Sequence, residues 1–359
     1  MKIAIEATLA QSHKTGTGKY VYHLVKTLSE LDKKNEYFLL YDSKEWRGPQ
    51  FGKNFQYISY NSGNKFFPVG SRLNSSLRKI NPNIMHITRI LGVNKKAVCP
   101  VITTVHDIFP ILEQPRQSKI RKLFSKQLIN NVTENSDYYI FNSMFTKLEF
   151  TVFFNIPDNK SKVIYLGPSA NVIPPEEKRS INGIIICAGA IEQRRQQLFL
   201  LDVYKELLSK KEDIPPLVFI GDDRGDGEKL INTINKYNLT GKVKWEKDAS
   251  REQINKLYQN ASLALQPSSY EGFGIPLTEA MCCHLPLICS DISVFREVAR
   301  EYPIYARLRD KNDWVELILK FYRKRPKTKT RLADKLLEER NWKICAEKTF
   351  ECYQSLSKL

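Results

Sequence analysis

The 359 residues predict an α/β protein built as two doubly wound domains that face each other across a cleft. Three observations carry that expectation. The chain is too long for one ordinary core. It contains two successive series in which short apolar strands alternate with helical periodicity. Late in the second series, residues 268–281 (SSYEGFGIPLTEAM) read as a strand end, a glycine turn and a helix start. The run Ser262 to Pro267 before them is a short buried strand. Gly272 and Gly274 bracket Phe273 in the turn, and Pro276 stands where a first helical residue lacks a use for its N–H. Such a turn aims backbone N–H groups at a phosphate. Glu271 before it and Glu279 one turn into the helix could hold sugar hydroxyls. Against this stands an ordinary βα turn with two solvated glutamates.

The first series opens with residues 1–9 alternating as a strand. A glycine loop, His13 to Tyr20 (HKTGTGKY), follows, then Val21, Leu24, Val25 and Leu28 at helical spacing. Gly16 and Gly18 lack the three-glycine spacing of a dinucleotide fingerprint, so the segment reads as a loop at a strand's carboxyl end, where such sheets bind ligands. Tyr37–Tyr41, Phe55–Tyr60, Ile84–Ile87 and Pro100–Val105 are further strands, the last running into His106 and Asp107. A histidine there would face the cleft, although packing is the commoner role. Residues 116–126 (RQSKIRKLFSK) form a basic helix with Ile120, Leu123 and Phe124 on one face, suited to solvent or to anionic headgroups. Tyr138–Asn142 is a strand, Ser143 caps a helix from Met144, and Val163–Leu166 closes this half.

Residues 169–181, with Pro174-Pro175 and a charge run, read as a linker between domains 1–168 and 169–341. The second series then brings strand Ile184–Cys187, a turn at Gly189, and Glu192-Gln193-Arg194-Arg195 ahead of a helix carrying Leu198, Leu201, Tyr204, Leu207 and Leu208. Strands Leu217–Ile220, Lys242–Trp245 and Pro286–Cys289 follow, with a helix over Arg251–Gln259. Another helix begins near Ser293, whose hydroxyl can cap it. Trp342 to Leu356 read as an amphipathic closing helix.

Composition narrows the function. The net charge is +17; residues 1–168 hold 24 Lys+Arg against 12 Asp+Glu, a net of +12. A concentrated positive field suits an anionic partner such as a lipid surface or nucleic acid. Zinc spacing, a recognition-helix signature and an RNA-binding aromatic motif are missing from the sequence, which argues against nucleic acid. No apolar run reaches the roughly 18–20 residues of a membrane span. MKIAIEATLA carries Glu6 and reads as a strand and not a signal peptide. Seven cysteines without metal-ligand spacing suit buried free thiols in a reducing cytoplasm.

Taken together, the motifs resemble a family 4 glycosyltransferase of the GT-B fold, two Rossmann-like domains, over nearly the whole chain. SSYEGFGIPLTEAM with HLPLICSDISVFREVA resembles that family's paired-glutamate signature. CAGAIEQRR resembles its segment with a Gly, a Glu and an Arg-Lys pair. TGTGKY and VHDIFP resemble the mannosyltransferase-like branch of surface polysaccharide assembly, and RNWKICAEKTFECYQSL resembles the closing helix of the fold, which implies that residues 342–359 pack back on the first domain. The resemblance implies that the second domain binds a nucleotide-diphosphate sugar, with GDP-mannose the branch-level choice and UDP-sugars next. Arg194 and Arg195 would neutralise the diphosphate with the N–H groups of Gly272, Phe273 and Gly274. Glu279 would hold the ribose and Glu271 the transferred sugar. His106 would lie near sugar and acceptor, and Gly16, Gly18 and Lys19 would line the first-domain side.

The same resemblance implies retention of anomeric configuration without a metal, a lipid-linked or polysaccharide acceptor, and a cytoplasmic enzyme peripheral to an anionic membrane. The sequence has no Asp-x-Asp motif to hold a metal. The family usually has Lys where Arg195 stands, which puts the phosphate geometry in question. Asp222 to Arg224 would border the base or ribose. The rival readings are a soluble transferase using a UDP-sugar on a small molecule or protein, and a basic nucleic-acid binder.

Overall fold

The structure is a computed structural model, and it describes residues 1–12, 15–61, 69–90, 97–109, 132–169, 172–176, 179–210, 213–324 and 326–357. The chain divides into two compact units: Met1–Leu166 with Asn341–Leu359, and Gly167–Arg340. The basic segment 116–126, together with His13 and Lys14, lies outside the described residues.

The first unit holds strands β1 (Lys2–Glu6), β2 (Glu36–Tyr41), β3 (Phe55–Ser59), β4 (Ile84–Ile87), β5 (Val101–Val105), β6 (Tyr138–Phe141) and β7 (Ser161–Val163). They form one sheet in the order β3-β2-β1-β4-β5-β6-β7, every pair parallel. The strands are runs of buried Ile, Val, Leu and Tyr because helices cover both faces of such a sheet. Helices α1 (Gly16–Leu31), α2 (Val69–Ile80) and α3 (Met144–Phe153) belong to this unit.

Strands β1 and β7 depart from the sequence expectation by more than one residue. β1 stops at Glu6, because Ala7 turns (φ −124°, ψ 14°) into a 3-10 turn over Thr8–Gln11. Expected strand Val163–Leu166 is instead β7 at Ser161–Val163. It pairs with Tyr139–Phe141, and once Phe141 O has accepted Ile164 N at 2.8 Å its partner strand is exhausted. Ser143 caps α3 as expected, its hydroxyl accepting Thr146 N at 3.0 Å.

The second unit contains β8 (Ile184–Ala188), α4 (Gln197–Ser209), β9 (Leu217–Ile220), α5 (Gly227–Lys236), β10 (Val243–Glu246), α6 (Arg251–Asn260), β11 (Ala261–Gln266), α7 (Ile275–Cys282), β12 (Leu287–Ser290), α8 (Ser293–Ala299) and β13 (Ile304–Ala306). Helices α9 (Lys311–Lys324) and α10 (Thr330–Glu339) complete it. Its sheet order is β10-β9-β8-β11-β12-β13, again all parallel. Leu200, Leu201, Tyr204, Phe219, Leu263, Ile288 and Trp314 pack into one buried core. α8 lacks the expected Ser293 cap: Ile292 holds the N-cap position, and its carbonyl accepts Phe295 N and Arg296 N.

The last helix, α11 (Trp342–Leu356), belongs to the first unit. Asn341 caps it by accepting Ile344 N at 2.9 Å. Trp342 stacks on His23 of α1 with centroids 4.8 Å apart and planes 11° apart. Deeper in, the Tyr353 hydroxyl sits 2.6 Å from Nδ1 of buried His86, whose Nε2 lies 2.8 Å from the Thr104 hydroxyl. Burial pushes the His86 imidazole down to about 3, so it is neutral here.

Candidate active site

In each sheet the strand order reverses once, between β1 and β4 and between β8 and β11. The crevice beyond the carboxyl ends of strands at such a reversal is where open α/β sheets bind ligands. In the second unit, the loop leaving β8 carries Glu192, Arg194 and Arg195, and the loop leaving β11 carries Glu271, Gly272, Phe273 and Gly274. The fold therefore brings both expected groups to one place. Hydrogen bonds stitch the loops together: Ser269 N and the Ser269 hydroxyl donate to Arg194 O at 2.7 and 3.1 Å.

Two glycines permit this approach. Gly189, at φ +135°, follows β8, and a Cβ there would stand 2.2 Å from Arg195 Nη1. Gly274, at φ +92°, is the N-cap of α7, and a Cβ there would meet Phe295 at 2.9 Å. Since Gly274 caps the helix, Ile275 is its first residue and Pro276 its second, one position later than expected. Phe273, between the two glycines, is buried at 3% exposure.

The charged residues form one cluster. Glu192 Oε1 accepts from Arg194 Nε at 2.9 Å and Arg195 Nε at 3.0 Å. The other edge of Arg195 meets Glu271: Nη2 donates to Oε2 at 3.3 Å, and Nη1 lies 3.0 Å from Oε1 off the hydrogen-bond direction. Arg194 Nη1 is 3.9 Å from Glu271 Oε2. Burial alone would raise the Glu192 carboxyl, but the two guanidiniums outweigh it and hold the group below its ordinary value. Arg195 thus uses its planar fork to span two carboxylates, which a lysine's single ammonium could not do in the same geometry. In the sequence Glu192 stands out only as part of the segment Glu192-Gln193-Arg194-Arg195. Its spacing, two and three residues before the arginines, was the available signal.

Glu279, in α7, is 3% exposed, and both carboxylate oxygens accept hydrogen bonds. Ser169 Oγ donates to Oε1, and Tyr258 Oη donates to Oε2 at 2.8 Å. Neither partner was expected from the sequence. The Asp222 to Arg224 loop turns its central acid inward on itself: Asp223 Oδ1 accepts Gly225 N at 2.8 Å and Gly227 N at 3.0 Å.

The remaining expected residues lie in the first unit. Gly16 and Gly18 are not in a loop: both sit in the first turn of α1, where the Thr15 hydroxyl accepts Gly18 N at 2.9 Å. Thr15 is a favoured capping residue, which starts the helix earlier than the glycines suggest. One turn on, the Tyr20 ring lies edge-on to His106 with centroids 4.8 Å apart, so the fold brings the start of α1 beside that histidine. His106 Nε2 donates to Thr88 O at 2.9 Å, which leaves Nδ1 as the acceptor of the neutral ring. Burial pushes His106 down to about 4. At the carboxyl end of β1, buried Glu6 accepts from Tyr60 Oη at 3.1 Å and Arg89 Nε at 3.3 Å. Among the described residues no group of three His, Cys, Asp or Glu could hold a metal, and no helix is long and apolar enough to cross a membrane.

Similarity to known proteins follows the same division. The family described as "Glycosyl transferases group 1" matches residues 171–336, and "Glycosyltransferase Family 4" matches residues 14–169. The chain is 24% identical over 344 residues to O-antigen chain mannosyltransferase B of Escherichia coli, covering 87% of each chain. In fold it is similar to sucrose-phosphate synthase from Thermosynechococcus elongatus, with a TM-score of 0.81 at 16% identity and 99% of each chain covered. It is also similar to Anabaena HepE in complex with UDP and glucose, with a TM-score of 0.73 at 15% identity, covering 99% of this chain and 100% of that one. The fold is that of the GT-B enzymes. The chain belongs to the family 4 glycosyltransferases of that class and is a hexosyltransferase.

Proposed function

We propose that this enzyme moves a hexose, mannose in the first instance, from a nucleotide-diphosphate sugar onto a lipid-linked or polysaccharide acceptor in surface glycan synthesis. The observation that carries the reading is the Arg194–Arg195 pair at the strand reversal of the second unit, beside the Gly272–Gly274 turn. A leaving nucleoside diphosphate gains negative charge as the glycosidic bond breaks. Fixed guanidiniums stabilise that charge more in the transition state than before it. Glu279 receives the ribose hydroxyls and Glu271 the transferred sugar. Glu271 is ion-paired with Arg195, so donor binding hands the arginine to the diphosphate and frees the carboxylate for sugar hydroxyls.

His106, neutral and with Nδ1 open to accept, serves the sugar and acceptor side together with the first turn of α1. The reaction proceeds with retention through a short-lived oxocarbenium-like state, the acceptor entering on the leaving-group face, and with no metal. GDP-mannose is the favoured donor because the E. coli relative is a mannosyltransferase of O-antigen chains. The HepE complex with UDP makes UDP-sugars the alternative. The strongly basic N-terminal half, net +12 over residues 1–168, suits a cytoplasmic enzyme working against an anionic membrane face or a pyrophosphate-linked acceptor.

A thermal-shift screen of nucleoside diphosphates and nucleotide sugars tests the donor, since a ligand of the folded state raises stability by mass action. GDP or GDP-mannose should give the largest shift; a larger shift with UDP-sugars moves the donor assignment to them. If no nucleotide shifts the transition while duplex DNA binds at physiological salt, the transferase reading fails. Flotation with anionic liposomes at low salt tests the membrane; no association removes it.

A further inference from the structure

The second unit contains a buried hydrogen-bond assembly around Glu279 that no motif announces. Tyr258 stands in the last turn of α6 and is 1% exposed. Its hydroxyl donates to Glu279 Oε2 at 2.8 Å. Burial, and then the Glu279 charge, hold the phenol well above its ordinary pKa, so it remains a donor. On the other oxygen, Ser169 Oγ donates to Oε1; Ser169 lies in the segment with which this unit begins.

The backbone on which these groups ride is itself clamped. Arg179 Nη1 donates to Tyr258 O at 2.7 Å, Gln259 O at 3.0 Å and Ala261 O at 2.5 Å, at the end of α6. Its Nη2 donates to Cys283 O at 2.7 Å, at the end of α7. One guanidinium thus fixes the carboxyl ends of both helices, one bearing Tyr258 and the other Glu279. The start of α6 is held by a capping box between Ser250 and Gln253.

A carboxylate with about four lone-pair positions can rotate to suit any donor. Two donors, one on each oxygen, fix its plane. A pair of vicinal hydroxyls needs that preorganisation, because each must donate to a carboxylate oxygen at the same time. From this geometry we infer that Tyr258 and Ser169 are positioning residues that orient Glu279 to receive the two ribose hydroxyls of the nucleotide. The inference rests on the ribose role proposed for Glu279. It adds that recognition of the sugar of the nucleotide, and not of its phosphates, depends on a phenol buried behind the site.

The test compares wild type, Tyr258→Phe and Ser169→Ala in calorimetric titrations with GDP, UDP, their 2′,3′-dideoxy forms and inorganic pyrophosphate. Wild type should bind the ribose forms more tightly than the dideoxy forms. Tyr258→Phe should lose roughly tenfold on the ribose forms, the size of one hydrogen bond to a charged group, and nothing on the dideoxy forms or pyrophosphate. Ser169→Ala should shift affinity in the same direction, and it supplies the answer if the tyrosine variant does not fold. Equal losses on ribose and dideoxy forms would mean the phenol merely supports the fold, and no loss on either would remove its role. If wild type itself does not distinguish ribose from dideoxy forms, it is the ribose role of Glu279 that fails, and the inference falls with it.

Discussion

The two units each start a helix with glycine at the strand reversal, and the two glycine turns are opposites. In the turn before α7, Gly274 is compelled: its φ of +92° suits no other residue well, and a Cβ would strike Phe295. In the first turn of α1, Gly16 is helical, and a Cβ there would meet nothing within 4 Å among the described residues. One glycine is demanded by the protein's own packing. The other meets no such demand among the described residues. A glycine pattern in sequence therefore carries two meanings, and only the surroundings separate them.

The largest effect expected concerns the charges beside the first of these turns. The Arg194→Ala, Arg195→Ala double variant should weaken nucleoside diphosphate binding on the order of a hundredfold or more, because two charge-assisted contacts are lost. Calorimetry checks it, and affinity equal to wild type would end the diphosphate assignment.

A second effect belongs to the first unit alone. His86 and His106 titrate at about 3 and about 4 when folded, below an ordinary value of about 6.5. Below that ordinary value the unfolded chain binds more protons. Stability is therefore full above about pH 6.5 and falls as pH drops toward 4, by on the order of a few kcal/mol. Urea midpoints at pH 7.5 and 5 measure it; an unchanged midpoint would mean the two histidines are not held neutral.

The two glycines are compared directly by single substitutions. Gly274→Ala should destabilise by about 1–3 kcal/mol through backbone strain and the Phe295 collision. Gly16→Ala should leave stability unchanged or raise it by about 0.5 kcal/mol, since alanine narrows the unfolded ensemble at a position it can occupy. A drop in transfer rate at unchanged stability in the Gly16 variant would place a substrate against that helix start. Equal destabilisation by both would erase the distinction. The smallest effect is a null one: EDTA should leave transfer unchanged, and a loss restored by a divalent cation would contradict the metal-free reading.

Much of this was legible in the residues. Apolar runs such as Ile184–Cys187 and Leu217–Ile220 mark parallel strands because both faces of such a sheet are covered. A strand followed by Gly-x-Gly and a helix start located the turn before α7. The errors have local causes. Gly16 and Gly18 read as loop because glycine is a poor helix former, yet Thr15 supplies a cap that starts α1 there. Val163–Leu166 read as a strand because it is apolar, but a strand ends where its partner does.

By itself the sequence determined the class of fold, the alternation of elements and the chemical character of the groups at the strand ends, because these follow from periodicity and residue type over short stretches. Only the tertiary structure decided which of those groups meet. Arg195 spanning Glu192 and Glu271, and Tyr258 and Ser169 holding Glu279 from positions 21 and 110 residues away, arise from packing between distant segments. No local pattern encodes such pairings, because a hydrogen bond across the fold depends on where two backbones are brought and not on what lies next to either along the chain.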